Sequence, residues 1–128
     1  KTDEGIRAYT LSSITAGALY SFKVSATNAI GESLVCNPIK IIAADLPMKP
    51  TNAPVISSFS TSHVSITLTA IPTANNGGSD ITGYIVMMDN GLGDDNSFTV
   101  KSDSLQTSLT INGLIMGRTY RVMYAGRN

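Results

Sequence analysis

The sequence predicts an all-β chain built from two modules in tandem, and three observations carry that prediction. Apolar residues recur at every second position in several short segments, the period of a strand with one face against a core. Residues 10–20 reappear as residues 110–120, from Thr10, Leu11, Ile14, Gly17 and Tyr20 to Thr110, Ile111, Leu114, Gly117 and Tyr120. The correspondence continues from Phe22, Val24, Ala26 and Asn28 to Val122, Tyr124, Gly126 and Asn128. An offset of 100 residues (Thr10 to Thr110) is too long for a solenoid repeat and suits a whole small β-domain. No apolar segment follows a helical period for longer than one turn.

Taken in order, residues 1–5 are polar and without pattern. Tyr9 and Leu11 alternate with Ala8, Thr10 and Ser12, which predicts a first strand. Residues 14–17 turn a corner at Gly17. Tyr20, Phe22, Val24 and Ala26 then face one way while Ser21, Lys23, Ser25 and Thr27 face the other, the cleanest half-buried strand in the chain. Residues 28–33 read as a hairpin loop, and residues 38–44 as the returning strand, which Pro38 confines to an edge. Pro47, Pro50 and Pro54 make residues 47–53 a short, stiff linker. Beyond it, residues 55–59, Val64 to Leu68, residues 81–88, residues 98–101 and Leu109 with Ile111 read as strands. They are separated by glycine- and asparagine-rich turns at 75–80 and 89–96.

The charge is balanced, with nine basic and nine acidic residues, and contains no basic run. That argues against a nucleic acid partner and against an anionic membrane surface. No apolar run is long enough to span a bilayer, so direct membrane insertion is not expected. A charged fraction of 14% is low for a fully exposed surface and suits a segment partly covered by neighbouring domains. Cys36 is the only cysteine, which excludes an internal disulfide without deciding the compartment.

Three motifs carry a family resemblance. An apolar residue stands six positions before a tyrosine in both copies, as Ile14 with Tyr20 and as Leu114 with Tyr120. The run from Tyr20 through Phe22, Val24 and Ala26 to Asn28 is followed by Ile30, Gly31, Glu32 and Ser33. A further run goes Gly77, Gly78, Ser79, Asp80, Ile81, Thr82, Gly83, Tyr84, Ile85, Val86. Together they resemble fibronectin type III domains, over nearly the whole chain. The resemblance implies tandem immunoglobulin-like β-sandwiches. Residues 1–46 would supply the C-terminal part of one domain, strands E, F and G. Residues 54–128 would supply strands A to F of the next, without its last strand. It also implies a structural tyrosine corner at Ile14 and Tyr20 and at Leu114 and Tyr120, the hydroxyl bonding back to the backbone just upstream. Two departures stand out. The family's tryptophan near the end of strand B is replaced by Ala70, and the corner proline by Ala16 and Met116. Tyr124, where the first copy has Val24, is expected to fill the space with help from Met88.

Candidate sites are few. On the outward face of the second module, Ile85 and Met87 of one strand stand beside Arg121 and Met123 of another. The first module places Ser21, Lys23 and Ser25 at the matching positions. This makes Ile85, Met87, Arg121 and Met123 the candidate protein-binding face. The loop 90–96 has the acidic, glycine-rich character of calcium loops but matches no ligand spacing, so a plain hairpin turn is expected. His63 is the sole histidine, which leaves no histidine cluster or triad. Cys36 is expected to pack as a small hydrophobe. Gly77 and Gly78 precede no helix and read as loop geometry. No catalytic residue, metal site or cofactor is expected.

The function these residues point to is a non-catalytic structural and protein-interaction module of a large scaffold, filament or surface protein. Its partners would be neighbouring domains and proteins of a larger assembly. The alternative is an accessory or ectodomain module of a multidomain enzyme or adhesion receptor. Both an intracellular, cytoskeletal setting and the cell surface remain open.

Overall fold

The structure, a computed structural model, describes residues 8–128, so the polar start at residues 1–5 lies outside the described residues. The chain divides into two compact units, Lys1–Ala44 and Asp45–Asn128. In the first, β1 (Leu19–Phe22) pairs antiparallel with β2 (Ile39–Ile42), with Tyr20 opposite Ile41 and Phe22 opposite Ile39. The hairpin continues irregularly beyond the ladder. The Val24 and Ala26 carbonyls accept from the Cys36 and Ser33 N–H groups at 2.9 and 2.8 Å, and Thr27 bridges Glu32.

Two expectations change here. The segment around Tyr9 and Leu11 is not a strand, because alternation creates a strand only where a neighbouring strand takes up its N–H and C=O groups. The described part of this unit has a single two-stranded sheet, which offers none. Cys36 is exposed rather than packed, with its Sγ accepting from the Val24 N–H at 3.2 Å.

The second unit is a β-sandwich of two three-stranded antiparallel sheets. One sheet has the order β3-β4-β7, formed by Val55–Phe59, His63–Thr67 and Ser108–Asn112. The other has the order β6-β5-β8, formed by Thr99–Ser104, Gly83–Met88 and Val122–Arg127. The inward residues of both sheets make one core: Ile66, Leu68 and Ile111 from the first, and Tyr84, Val86, Met88 and Tyr124 from the second. These are the alternate positions that the period of two selects. A 3₁₀ turn at Thr73–Asn75 is the one helical element among the described residues.

Asp45, expected at the end of the first module, and Met48, in the expected linker at 47–53, are both anchored to the second unit. Asp45 N–H donates to the Gly77 carbonyl at 2.8 Å, and Met48 N–H to the Asn75 carbonyl at 2.9 Å. Asn128 Nδ2 donates to the Asp45 and Asn76 carbonyls at 2.7 and 2.8 Å. Gly77 is required at this junction. Its φ is 76°, and a Cβ there would lie 2.1 Å from the Asp45 carbonyl oxygen.

Candidate protein-interaction face

The two corners have the same geometry. Tyr20 Oη accepts from the Thr15 N–H at 2.9 Å, and Tyr120 Oη accepts from the Ile115 N–H at 2.9 Å. Each bond satisfies a loop N–H that no strand reaches and pins the corner to the strand that follows. Leu114 packs partly buried against the core of the second unit, while Ile14 is 55% exposed. The proline that the corner lacks is therefore not needed to hold it: the hydroxyl does so in both copies.

Two further tyrosines of the second unit make similar links across the sandwich. Tyr84 Oη accepts from the Ile71 N–H at 3.0 Å, and Tyr124 Oη donates to the Thr69 carbonyl at 3.0 Å. Their rings are 6.2 Å apart at 58°, a tilted aromatic pair. Tyr124 therefore lies beside Ala70, where the resemblance leads one to expect an indole. A cavity of about 270 Å³, lined by Ala70, Pro72 and Tyr124 among others, remains open there.

On the outward side of β6-β5-β8, Met87 stands directly opposite Met123 on β8 and opposite Val100 on β6. Ile85 stands opposite Ala125. Met123 and Val100 are 42% and 59% exposed, and Ile85 and Met87 are half-buried, so the apolar strip is continuous across three strands. Val100 belongs to this strip although the sequence had not singled it out. A bulge between Val86 and Met87 shifts the register that brings it there, and no local pattern foretells a bulge.

Each end of the strip is closed by an ion pair. At one end Arg127 meets Asp103 at 2.8 Å over Gly83. At the other, Arg121 is held within its own molecule. Its Nε reaches Asp89 Oδ2 at 2.6 Å, its other guanidinium nitrogens reach Asp95 and the Asp94 carbonyl, and Phe98 lies under it at 5.2 Å. Asp89 has no exposed side-chain surface and also accepts from the Arg121 and Gly91 N–H groups at 3.0 and 3.1 Å. The Arg121 N–H and guanidinium hold the Asp89 carboxyl below its usual range, with burial opposing them. The Asp89 and Asp95 carboxylates in turn raise the Arg121 guanidinium further above its ordinary value.

This cluster explains the acidic, glycine-rich loop. Its Asp95 carboxylate and Asp94 carbonyl take up Arg121, while Asp94 Oδ1 caps the Asn96 N–H at 2.9 Å. Among the described residues, no three His, Cys, Asp or Glu side chains converge as metal ligands. His63 Nδ1 bonds Ser60 Oγ at 2.7 Å within its own hairpin. No helix of the described residues is long and apolar enough to cross a membrane.

The sheet orders and the paired tyrosine corners define a class, the all-β chain with an immunoglobulin-like sandwich. No family model matches the sequence. Among solved structures, the chain is similar to the crystal structure of domains A168-A170 from titin, at 24% identity and a TM-score of 0.62. The match covers 81% of this chain and 33% of that one, so this chain spans about a third of that length. At this identity the likeness is one of fold.

Proposed function

We propose that the chain is a tandem fibronectin type III segment acting as a non-catalytic structural and protein-interaction module of a larger assembly. Its first unit is read as the strand E to G part of one domain and its second as strands A to F of the next. The tyrosine corners in both copies and the likeness in fold to titin domains support this reading.

The docking surface is the outward face of β5 and β8, formed by Ile85, Met87 and Met123 with Arg121 at its end. Its occupant is an apolar patch of a partner protein. The observation that carries this is the pairing of half-buried Met87 with exposed Met123, flanked by Val100, on a face whose counterpart in the first unit bears Ser21, Lys23 and Ser25. Methionine side chains adapt to varied partner shapes, and the arginines at the two ends of the strip are each paired within the molecule.

The test is oxidative footprinting of Met87 and Met123 in native source material against the purified chain. Protection of both methionines in the native material is expected. Equal reactivity in both preparations would remove the docking face and leave the module a spacer.

A further inference from the structure

We propose that Asn112, with Gly113 after it, is a self-modification site at which the folded chain converts asparagine to aspartate and isoaspartate, with water as the only co-reactant. The site lies on the β3-β4-β7 sheet, away from the docking face, so it stands or falls independently of that face.

Three Asn–Gly pairs occur in the chain: Asn76–Gly77, Asn90–Gly91 and Asn112–Gly113. The glycine sets the chemistry of such a pair. Its backbone nitrogen attacks Cγ of the asparagine, and without a Cβ nothing crowds the approach. The N–Cγ bond forms and the Cγ–Nδ2 bond breaks. Nδ2 leaves as ammonia, taking the proton that the glycine nitrogen gives up. Water then opens the five-membered succinimide. Cleavage at Cγ gives aspartate. Cleavage at the backbone carbonyl gives isoaspartate, whose main chain runs through Cγ and is one carbon longer.

The reaction needs an asparagine side chain that can turn, a glycine nitrogen free to attack and room for the ring. The fold withholds these from two of the pairs. Asn76 is buried, its Oδ1 accepts from the Gly78 N–H at 2.9 Å, and Gly77 lies against the Asp45 carbonyl. Asn90 Oδ1 accepts from the Leu92 N–H at 2.9 Å. The nitrogen that would attack it, Gly91 N–H, donates to Asp89 Oδ1 at 3.1 Å. The Asn90 N–H and carbonyl are also held, by Ser97 Oγ at 3.3 Å and Arg118 at 3.0 Å.

Asn112–Gly113 meets all three conditions. Both residues are exposed, and a Cβ at Gly113 would meet nothing within 4 Å. Among the described residues, neither the Asn112 side chain nor the Gly113 N–H makes a hydrogen bond. The ladder gives the reason. The Leu68 N–H donates to the Thr107 carbonyl at 2.7 Å, so alternate pairs from there to Val64 with Ile111 are the hydrogen-bonded ones. His63 with Asn112 falls at the unbonded position between them and the corner. The next acceptor, the Ser62 carbonyl, takes the Leu114 N–H at 3.0 Å and leaves Gly113 unpaired.

The product acts on the corner that follows. Leu114 packs against the core, and the Ile115 N–H is held by Tyr120 Oη. An added main-chain carbon directly before Leu114 puts its N–H out of step with Ser62. The isoaspartyl form therefore carries a looser corner.

The experiment incubates the 128-residue chain in mildly alkaline buffer, folded and in concentrated urea. Peptide mass mapping with isoaspartate-specific methylation follows each pair. Dividing each folded rate by its urea rate removes the influence of local sequence. That ratio should be about tenfold or more higher for Asn112 than for Asn90 or Asn76, since each hydrogen bond to be opened lowers the reactive population about fivefold. Asn112→Gln, which cannot close a five-membered ring, should stay unmodified at that position. In the purified isoaspartyl form the Leu114 amide should exchange about tenfold or more faster than in the parent. Asn112→Asp, which adds the charge without lengthening the main chain, should leave that amide slow. Three results overturn the proposal: an Asn112 ratio no higher than that of Asn90 or Asn76, an Asn112→Gln chain modified there as fast as the parent, and an isoaspartyl form whose Leu114 amide is as slow as the parent's.

Discussion

Replacing Tyr124 with the valine of its counterpart, Val24, tests the central packing claim about the second unit. Tyr124 is 9% exposed, its ring pairs with Tyr84, and its hydroxyl donates to the Thr69 carbonyl. Tyr124→Val deletes most of a buried ring, removes the aromatic pair and leaves the Thr69 carbonyl without its donor. Large-to-small substitutions of buried aromatics cost about 3–5 kcal/mol when truncated to alanine, and valine recovers part of that. The ring pair adds about 0.5–1.5 kcal/mol and the hydrogen bond about 1 kcal/mol. The neighbouring cavity of about 270 Å³ admits water to the Thr69 side, which moderates the last term. The expected loss is about 3 kcal/mol, or roughly 12–24 °C in Tm for a unit of this size. Urea unfolding followed by far-UV circular dichroism measures it, with Tyr124→Phe isolating the hydroxyl at about 1 kcal/mol. A Tyr124→Val chain within about 1 kcal/mol of the parent would refute the packing role assigned to the ring.

Two further expectations concern the corner and the ion cluster. Tyr120→Phe should lower stability by about 1 kcal/mol and speed exchange of the Ile115 amide specifically, which site-resolved hydrogen exchange reads. The folded-state pKa of Asp89 lies below its ordinary 3.8, so its stabilising effect is complete above that value and is lost as pH falls through the lower folded one. The urea midpoint should therefore hold steady between neutral and mildly acid pH and drop at stronger acid, and Asp89→Asn should flatten that drop.

The strands of the second unit were legible because their period is local. Val64 and Ile66, or Val86 and Met88, are spaced so that one face of a strand is apolar, and the covalent geometry of an extended chain leaves little choice about which side chains share it. The turns were legible for the same reason, being built from residues such as Gly77 that accept a left-handed backbone. Residues 8–12 show the limit. They carry the same alternation, yet a strand needs a hydrogen-bonded neighbour, and none is paired with them in the described structure.

The site residues divide the same way. Ile85, Met87 and Met123 could be assigned to one outward face from parity alone. That Val100 joins them depends on a bulge between Val86 and Met87. That Arg121 is bound to Asp89 and Asp95 depends on residues about thirty positions apart meeting at a strand end. Likewise residues 47–53 read as a stiff linker from composition and Asp45 as part of the first module, whereas the bonds of Asp45 to Gly77 and Asn128 and of Met48 to Asn75 tie both to the second unit.

By itself, then, the sequence determined the all-β class, the repeat and the side of each strand that turns inward, since all three follow from the spacing of residues along a short length of chain. The tertiary structure alone decided which alternating segments became strands, how the acidic loop's charge is neutralised and which residues of the outer sheet stand beside Met87. Those outcomes depend on partners that are distant in sequence and meet only when the two sheets close on each other.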